Sequence, residues 1–146
     1  MTACSWSTLP LDEPSGKKVD EKTPVIVMTY NIRMNTPDDG ENAWPKRKDK
    51  VIGLLRFHKA EIFGVQEALP EQVQELVDGF PEFDHVGVGR DDGISKGEHM
   101  CIFYNKLRFE RLGDGNFWLS PTPDNRDWDG MLPATAHAPG LNSKTG

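Results

Sequence analysis

Two short apolar segments on either side of a helical pattern constrain the fold of this chain more than any other feature. The segments read PVIVMTY over residues 24–30 and EIFGVQE over residues 61–67. Each is rich in β-branched and aromatic residues and predicts an interior strand that is covered on both faces. Two such strands joined by a helix form a β-α-β unit, which places the strands parallel through a right-handed crossover.

Two helices are predicted, one after each of these strands. The first begins near Pro45 and the second at Pro70, and proline suits the first position of a helix. The charged residues 46–50, basic except for Asp49, indicate a solvated helix start, with a phosphate-binding patch as the alternative. The predicted buried faces consist of Val51, Leu54, Leu55 and His58 in the first helix and Val73, Leu76, Val77 and Phe80 in the second.

Three further segments, 83–89, 99–105 and 115–120, carry strand patterns. The predicted order is therefore β-α-β-α-β followed by two more strands, which is typical of an α/β or α+β domain with a mixed sheet. Residues 1–22 show no periodicity and predict a flexible N-terminal tail. Residues 134–146 contain little to bury and predict a disordered C-terminal tail, which leaves 23–133 as the domain.

Composition narrows the classes of function. With 17 basic and 23 acidic residues the net charge is −6, so the chain has no overall positive field for binding nucleic acid. No apolar run is long enough to span a bilayer, and the N-terminus lacks the pattern of a secretory signal. A cytoplasmic or nuclear location is therefore expected. The two cysteines, Cys4 and Cys101, do not have the spacing of a zinc site.

Polar side chains close both strands of the β-α-β unit. Asn31 ends the first strand and Glu67 ends the second, so both are expected at the sheet edge where α/β proteins bind ligands. A carboxylate with an amide oxygen suits Mg²⁺, which retains several water ligands. The spacing alone slightly favours a structural alternative, in which Asn31 caps a turn and Glu67 begins a solvated loop.

Five segments in order along the chain resemble the endonuclease/exonuclease/phosphatase family, the metal-dependent phosphoesterases related to DNase I. They read TYNIR at 29–33, QE at 66–67, GVGRDDG at 87–93, GEHMCIFYNKLRFE at 97–110 and FWLSPTPD at 117–124. The match runs from about Val25 to Pro133. The resemblance implies the N-terminal half of a DNase I-like, four-layer α-β-β-α sandwich, with a mixed sheet and flanking helices.

The resemblance also implies a reaction and a site. The reaction is hydrolysis of a phosphate mono- or diester, with Mg²⁺ or Mn²⁺ as cofactor. The family spans nucleic acids, phosphoinositides, sphingolipids and small phosphoesters, and the substrate within that range stays open. Asn31 and Glu67 match the catalytic and metal-binding positions of the family pattern. The substrate-binding candidates by the same resemblance are Arg33, Asn42, Arg90 and Glu98.

The resemblance ends after WDGMLP at 128–133, before the aspartate and histidine segments that the family carries in its second half. A truncated domain, inactive alone, is therefore expected. One alternative is a non-catalytic fragment that binds metal and phosphate or acts in an interaction. Another is a complete small α/β protein that uses the Asn31–Glu67 edge differently. An apolar sheet face left open by truncation would favour self-association.

Overall fold

The computed structural model of the chain describes residues 24–118, 135–137 and 140–144. The predicted N-terminal tail over residues 1–22 therefore lies outside the described residues. The helices are α1 (Trp44–Phe57) and α2 (Pro70–Gly79), with a short 3₁₀ helix at Pro37–Asn42. The strands are β1 (Val27–Asn31), β2 (Ile62–Ala68), β3 (Phe83–Gly89), β4 (His99–Asn105), β5 (Phe109–Gly113), β6 (Asn116–Trp118), β7 (Thr135–His137) and β8 (Gly140–Ser143).

The first four strands form one mixed sheet in the order β1-β2-β4-β3. Strands β1 and β2 pair in parallel, whereas β4 pairs antiparallel with both β2 and β3. The predicted β-α-β unit and the predicted mixed sheet are thereby confirmed. The register places Asn31 opposite Gln66, so β1 and β2 end together at one edge.

The prediction that the first strand is an interior strand is wrong for the described part of the chain. Strand β2 is interior, but β1 lies at the edge of its sheet. Met28 and Tyr30 of β1 pack against the core, while Val27 on the other face is 65% exposed. One face of the apolar run therefore packs on the core, and the other is exposed in the described part of the chain.

Both helices cover the same face of the four-stranded sheet. In the core there, Phe63 of β2 and Phe103 of β4 stack with ring centroids 4.8 Å apart. In α1 the buried side chains are Trp44, Val51 and Leu55, whereas Leu54, predicted to be buried, is 39% exposed. His58, also predicted on the buried face, is exposed and lies at the C-cap position of the helix.

Two strand pairs continue the architecture after the sheet: β5 pairs with β8, and β6 pairs with β7. Phe109 of β5 packs with Val86 and Tyr104 on the sheet face opposite the helices, and Leu141 of β8 joins this cluster. The layers therefore follow in the order helix, sheet, strand pair, as an α-β-β-α fold requires.

The C-terminal segment differs from its prediction as a disordered tail. Residues 135–137 and 140–143 form strands, and the amide of Lys144 donates to the carbonyl of Arg108 at 2.8 Å. In its described residues the backbone pairs with β5 and β6, which composition cannot reveal. Leu141 adds the apolar contact with the Phe109 cluster.

Two glycines provide a matched test of the sheet. A Cβ at Gly87 in β3 would lie 2.3 Å from the carbonyl oxygen of Met100, and Gly87 has φ 150°. We expect Gly87→Ala to lower the free energy of unfolding by about 2–4 kcal/mol, because the backbone must shift. Gly53 in α1 has open space around it, and Gly53→Ala is expected to raise that free energy by up to about 1 kcal/mol. Urea unfolding of both variants checks this; equal effects would contradict the packing described for β3.

Among the described helices, none has the length and apolar character that crossing a membrane requires.

Candidate functional site

The carboxyl ends of β1 and β2 bring an amide and a carboxylate into contact. The Nδ2 atom of Asn31 donates a hydrogen bond to Oε1 of Glu67 at 2.7 Å. The ladder continues one residue further, where the Ile32 amide donates to the Gln66 carbonyl at 3.1 Å. The predicted meeting of Asn31 and Glu67 at one sheet edge is therefore seen, while their metal-binding and catalytic roles stay predictions.

Glu67 reaches Asn31 through an irregular backbone. Its φ is 59°, in the left-handed region that a residue with a side chain seldom adopts. The pairing of β2 with β4 shifts register between Val65 and Ala68, which is the position of a bulge around Glu67. Bulges redirect side chains and are frequent beside active sites. The bulge thus turns the Glu67 carboxylate towards the end of β1.

Arg33 stands beside this pair, on a turn that Asn31 itself shapes. Oδ1 of Asn31 accepts the Arg33 amide at 2.9 Å, and Arg33 has φ 58°. The guanidinium binds Asp39 through two contacts, Nε to Oδ2 and Nη2 to Oδ1, each 3.2 Å long. Asn31 therefore uses both ends of its amide, one for Glu67 and one for the turn that carries Arg33.

Electrostatics connect Arg33 to two carboxylates at this edge. The hydrogen bond to Asp39 is the main reason why the pKa of the Arg33 guanidinium is raised above its usual value. The charges of Glu67 and Glu98 raise the pKa of Arg33 further. The negative charges of Glu67 and Glu98, two predicted site residues, therefore act on Arg33, a third.

Arg90 and Glu98 pair with each other across the loop between β3 and β4. Nη1 of Arg90 donates to Oε2 of Glu98 at 2.8 Å, and the Arg90 amide donates to the Glu98 carbonyl at 2.9 Å. The loop leads into β4, whose first residue, His99, pairs with Ala68 at the end of β2. Both side chains thus lie on the rim of the Asn31–Glu67 edge, and their predicted role in substrate binding stays a prediction.

Asn42 differs from the other substrate-binding candidates because its described contact involves the backbone alone. It ends the 3₁₀ helix Pro37–Asn42 with its side chain exposed. Its carbonyl oxygen accepts Nε of Arg47 at 2.7 Å. The structure describes no contact from the Asn42 side chain to Asn31 or Glu67, so the site as described does not include that side chain.

Arg47 is a structural support of the site that the sequence pattern did not single out. Its guanidinium donates to the carbonyls of Ile32 and Arg33, the latter at 2.7 Å, in addition to Asn42. In sequence Arg47 is one member of a basic cluster, which indicates a solvated helix start. The geometry instead uses it to hold the turn after β1, and no signal in the sequence separates it from its neighbours.

Lys48 and Trp44 are likewise engaged within the fold. Nζ of Lys48 binds Oε1 of Glu75 at 2.8 Å, and Nε1 of Trp44 donates to the same carboxyl group. These contacts favour the structural interpretation of residues 46–50 over a phosphate-binding patch.

The donor chemistry at the Asn31–Glu67 edge fits a hard divalent cation. Among the described residues, no three or more His, Cys, Asp or Glu side chains are grouped so as to hold a metal ion. The group that could ligate a metal here is the Glu67 carboxylate, since the Asn31 amide turns its nitrogen to Glu67 and its oxygen to the Arg33 amide. Mg²⁺ is commonly held by one or two carboxylates and completes its octahedron with water and substrate oxygens. Glu67 supplies the one carboxylate of that minimum, with Asn31 as its hydrogen-bond partner.

The proteins found to be similar to this chain are solved structures. No protein-family model matches the chain, and no curated protein matches it. An endonuclease/exonuclease/phosphatase from Bacteroides vulgatus is 38% identical with a TM-score of 0.74, over 80% of this chain and 45% of that one. The mannosyl-6-phosphatase of Bacteroides thetaiotaomicron is 35% identical with a TM-score of 0.78, over 82% of this chain and 46% of that one.

A more distant structure shares the fold alone. The catalytic domain of human Nocturnin, solved with a bound sulfate anion, is 20% identical with a TM-score of 0.62. The match covers 88% of this chain and 48% of that domain. The chain thus spans just under half the length of each of these three solved structures.

Proposed function

The chain belongs to the endonuclease/exonuclease/phosphatase family, of whose solved members it spans just under half the length, and from this we propose that it takes part in metal-dependent hydrolysis of a phosphate ester. The contact between Asn31 and Glu67 at the paired ends of β1 and β2 carries the proposal. The two residues that match the family pattern by resemblance lie together there, and ligands of α/β proteins commonly bind at such an edge of the sheet.

Arg33 is the group proposed to hold the phosphate. Its side chain is 55% exposed, and Asp39 fixes the guanidinium through two hydrogen bonds. An arginine held in this way keeps donors available for a phosphate oxygen and loses little conformational freedom on binding. Its neighbour Asn31 is linked to it through the turn and presents an amide to the same region.

The charge balance at the edge supports a requirement for a cation. Asp39 already offsets the Arg33 charge, and Arg90 offsets Glu98. The Glu67 carboxylate, which accepts from a neutral amide, would therefore repel an approaching phosphate. A divalent cation held by Glu67 would reverse that repulsion and polarise a phosphoryl oxygen.

A second candidate function is binding of metal and phosphate without hydrolysis. The described groups at the edge are an amide, a carboxylate and a guanidinium, all suited to binding. His99 is buried and its Nδ1 lies 3.0 Å from the carbonyl of Gly97, while His85 stacks on Phe103. Within the described residues, then, neither of these histidines contacts Asn31 or Glu67 in a position to activate water.

One experiment tests the proposal and separates the two candidates. Binding of phenyl phosphate is measured by calorimetry in Mg²⁺ and in EDTA, and turnover is followed with nitrophenyl phosphate mono- and diesters. Mannose 6-phosphate joins the panel because a solved relative is a mannosyl-6-phosphatase. We expect binding that needs Mg²⁺ and weakens about tenfold or more in Arg33→Ala, the loss of a charge-assisted contact.

The matched control is Arg111→Ala, since Arg111 also pairs with an aspartate, Asp114 at 3.1 Å, but belongs to β5. It should bind phenyl phosphate as the unaltered chain does. Turnover that EDTA removes supports hydrolysis by this chain, and binding without turnover supports the second candidate. Absence of any Mg²⁺-dependent binding would contradict both.

A further inference from the structure

Gln72 is a polar side chain in a place where polar side chains are rare. It is the third residue of α2, and its relative exposure is 0%. A buried amide is costly unless its donors and acceptors find partners. An apolar residue of similar size would bury the same surface, so the contribution specific to Gln72 lies in the hydrogen bonds of its amide.

The Gln72 amide bonds to two separate segments of the chain. Its Oε1 accepts the amide of Leu69 at 3.1 Å and the amide of Asn35 at 2.8 Å. Its Nε2 donates to the carbonyl of Arg33 at 3.0 Å. Leu69 follows β2 and Glu67, whereas Arg33 and Asn35 follow β1 and Asn31. One side chain thus links the two segments that leave the site.

These two segments contain backbone that needs support. Arg33 and Glu67 both have left-handed φ values, 58° and 59°. Non-glycine residues persist in this region only where the surrounding contacts hold them there. Gln72 contacts the carbonyl of one of them directly and the residue two positions after the other.

We propose that Gln72 is a positioning residue, which fixes the segments after β1 and β2 to each other so that Asn31, Arg33 and Glu67 keep their mutual geometry. The inference rests on the proposed function, because the geometry matters only if these residues bind metal and phosphate. The simpler alternative is a helix cap. A residue at this position of a helix often accepts the amide at the helix start, and the Leu69 contact alone would satisfy that role.

Three variants separate positioning from capping. Gln72→Met keeps the length of the side chain and removes every hydrogen bond. Gln72→Glu keeps the acceptor for Leu69 and Asn35 and, as a carboxylate, removes the donor to Arg33. Gln74→Met is the matched control, because Gln74 lies on the same helix, is exposed and contacts only Asp78 among the described hydrogen bonds.

Two measurements are made on the full chain: Mn²⁺ affinity by electron paramagnetic resonance, and hydrogen exchange of the Arg33 amide, which donates to Asn31. We expect Gln72→Met to weaken Mn²⁺ binding about 10- to 100-fold, the usual effect of losing support behind a metal site. The Arg33 amide should exchange faster in parallel, and Gln74→Met should change neither. Gln72→Glu should shift both in the same direction, and it decides the question if Gln72→Met does not fold.

Mn²⁺ affinity and Arg33 exchange that match the unaltered chain in both Gln72 variants would overturn the positioning role and leave a helix cap. If the unaltered chain binds no Mn²⁺, the proposed function fails on its own account. Hydrogen exchange then decides the inference: faster exchange at Arg33 in the Gln72 variants supports it, and unchanged exchange overturns it.

Discussion

Glu67→Gln is expected to weaken Mn²⁺ or Mg²⁺ binding by about 100-fold or more, because hard cations depend on the charge of their carboxylate ligands. The substitution preserves the shape of the side chain and an oxygen that can accept the Asn31 amide. The backbone conformation at position 67 is also unaffected by the change. The loss should therefore appear in metal affinity, measured by calorimetry, and only slightly in the free energy of unfolding.

Glu71→Gln provides the matched control for this result. Glu71 is exposed in the first turn of α2, four positions along the chain, and loses the same charge when it is replaced. A general electrostatic effect would weaken metal binding in both variants. Unchanged affinity in Glu67→Gln would remove Glu67 from the metal site, and with it the main support for a metal-dependent activity.

Phe63→Ala is expected to lower the free energy of unfolding by about 3–5 kcal/mol, the usual loss for a large aromatic side chain in a core. Phe63 is 0% exposed and lies opposite Phe103 in the ladder between β2 and β4. Its ring centroid lies 5.1 Å from that of Phe80 and 5.3 Å from that of Phe83. Removing it opens a cavity bordered by the sheet and the end of α2.

Urea unfolding, followed by far-ultraviolet circular dichroism, measures this loss. Phe57→Ala is the control, because Phe57 ends α1 with 78% of its surface exposed and should cost less than about 1 kcal/mol. A loss at Phe63 no larger than that at Phe57 would show that this aromatic cluster does not hold the sheet to its helices.

The central part of the site followed from local sequence patterns. Asn31 and Glu67 each close an apolar strand, and the helix between those strands requires them to be parallel. Parallel neighbours end at the same edge, so contact between the two side chains could be expected before any coordinates. The resemblance to a family added chemical roles, but the proximity itself came from topology.

The other features of the site and the fold depend on contacts between distant parts of the chain. The bulge at Glu67 arises from its pairing with β4, which the sequence of β2 alone does not specify. Gln72 has a weak local signal as a helix-start residue, but its bonds to Arg33 and Asn35 cross a separation of more than thirty-five positions. The strands at 135–137 and 140–143 likewise form only because β5 and β6 offer them partners.

The left-handed backbone at Glu67 affects which substitutions are favoured at this position. Glycine would adopt that conformation without steric cost, so selection for thermal robustness alone would favour glycine over glutamate at position 67. Directed evolution or automated redesign that scores only folding would therefore tend to erase the carboxylate while improving its score. With the proposed metal-binding role, stability and chemistry make opposite demands on Glu67, and a library screened for both should retain glutamate there.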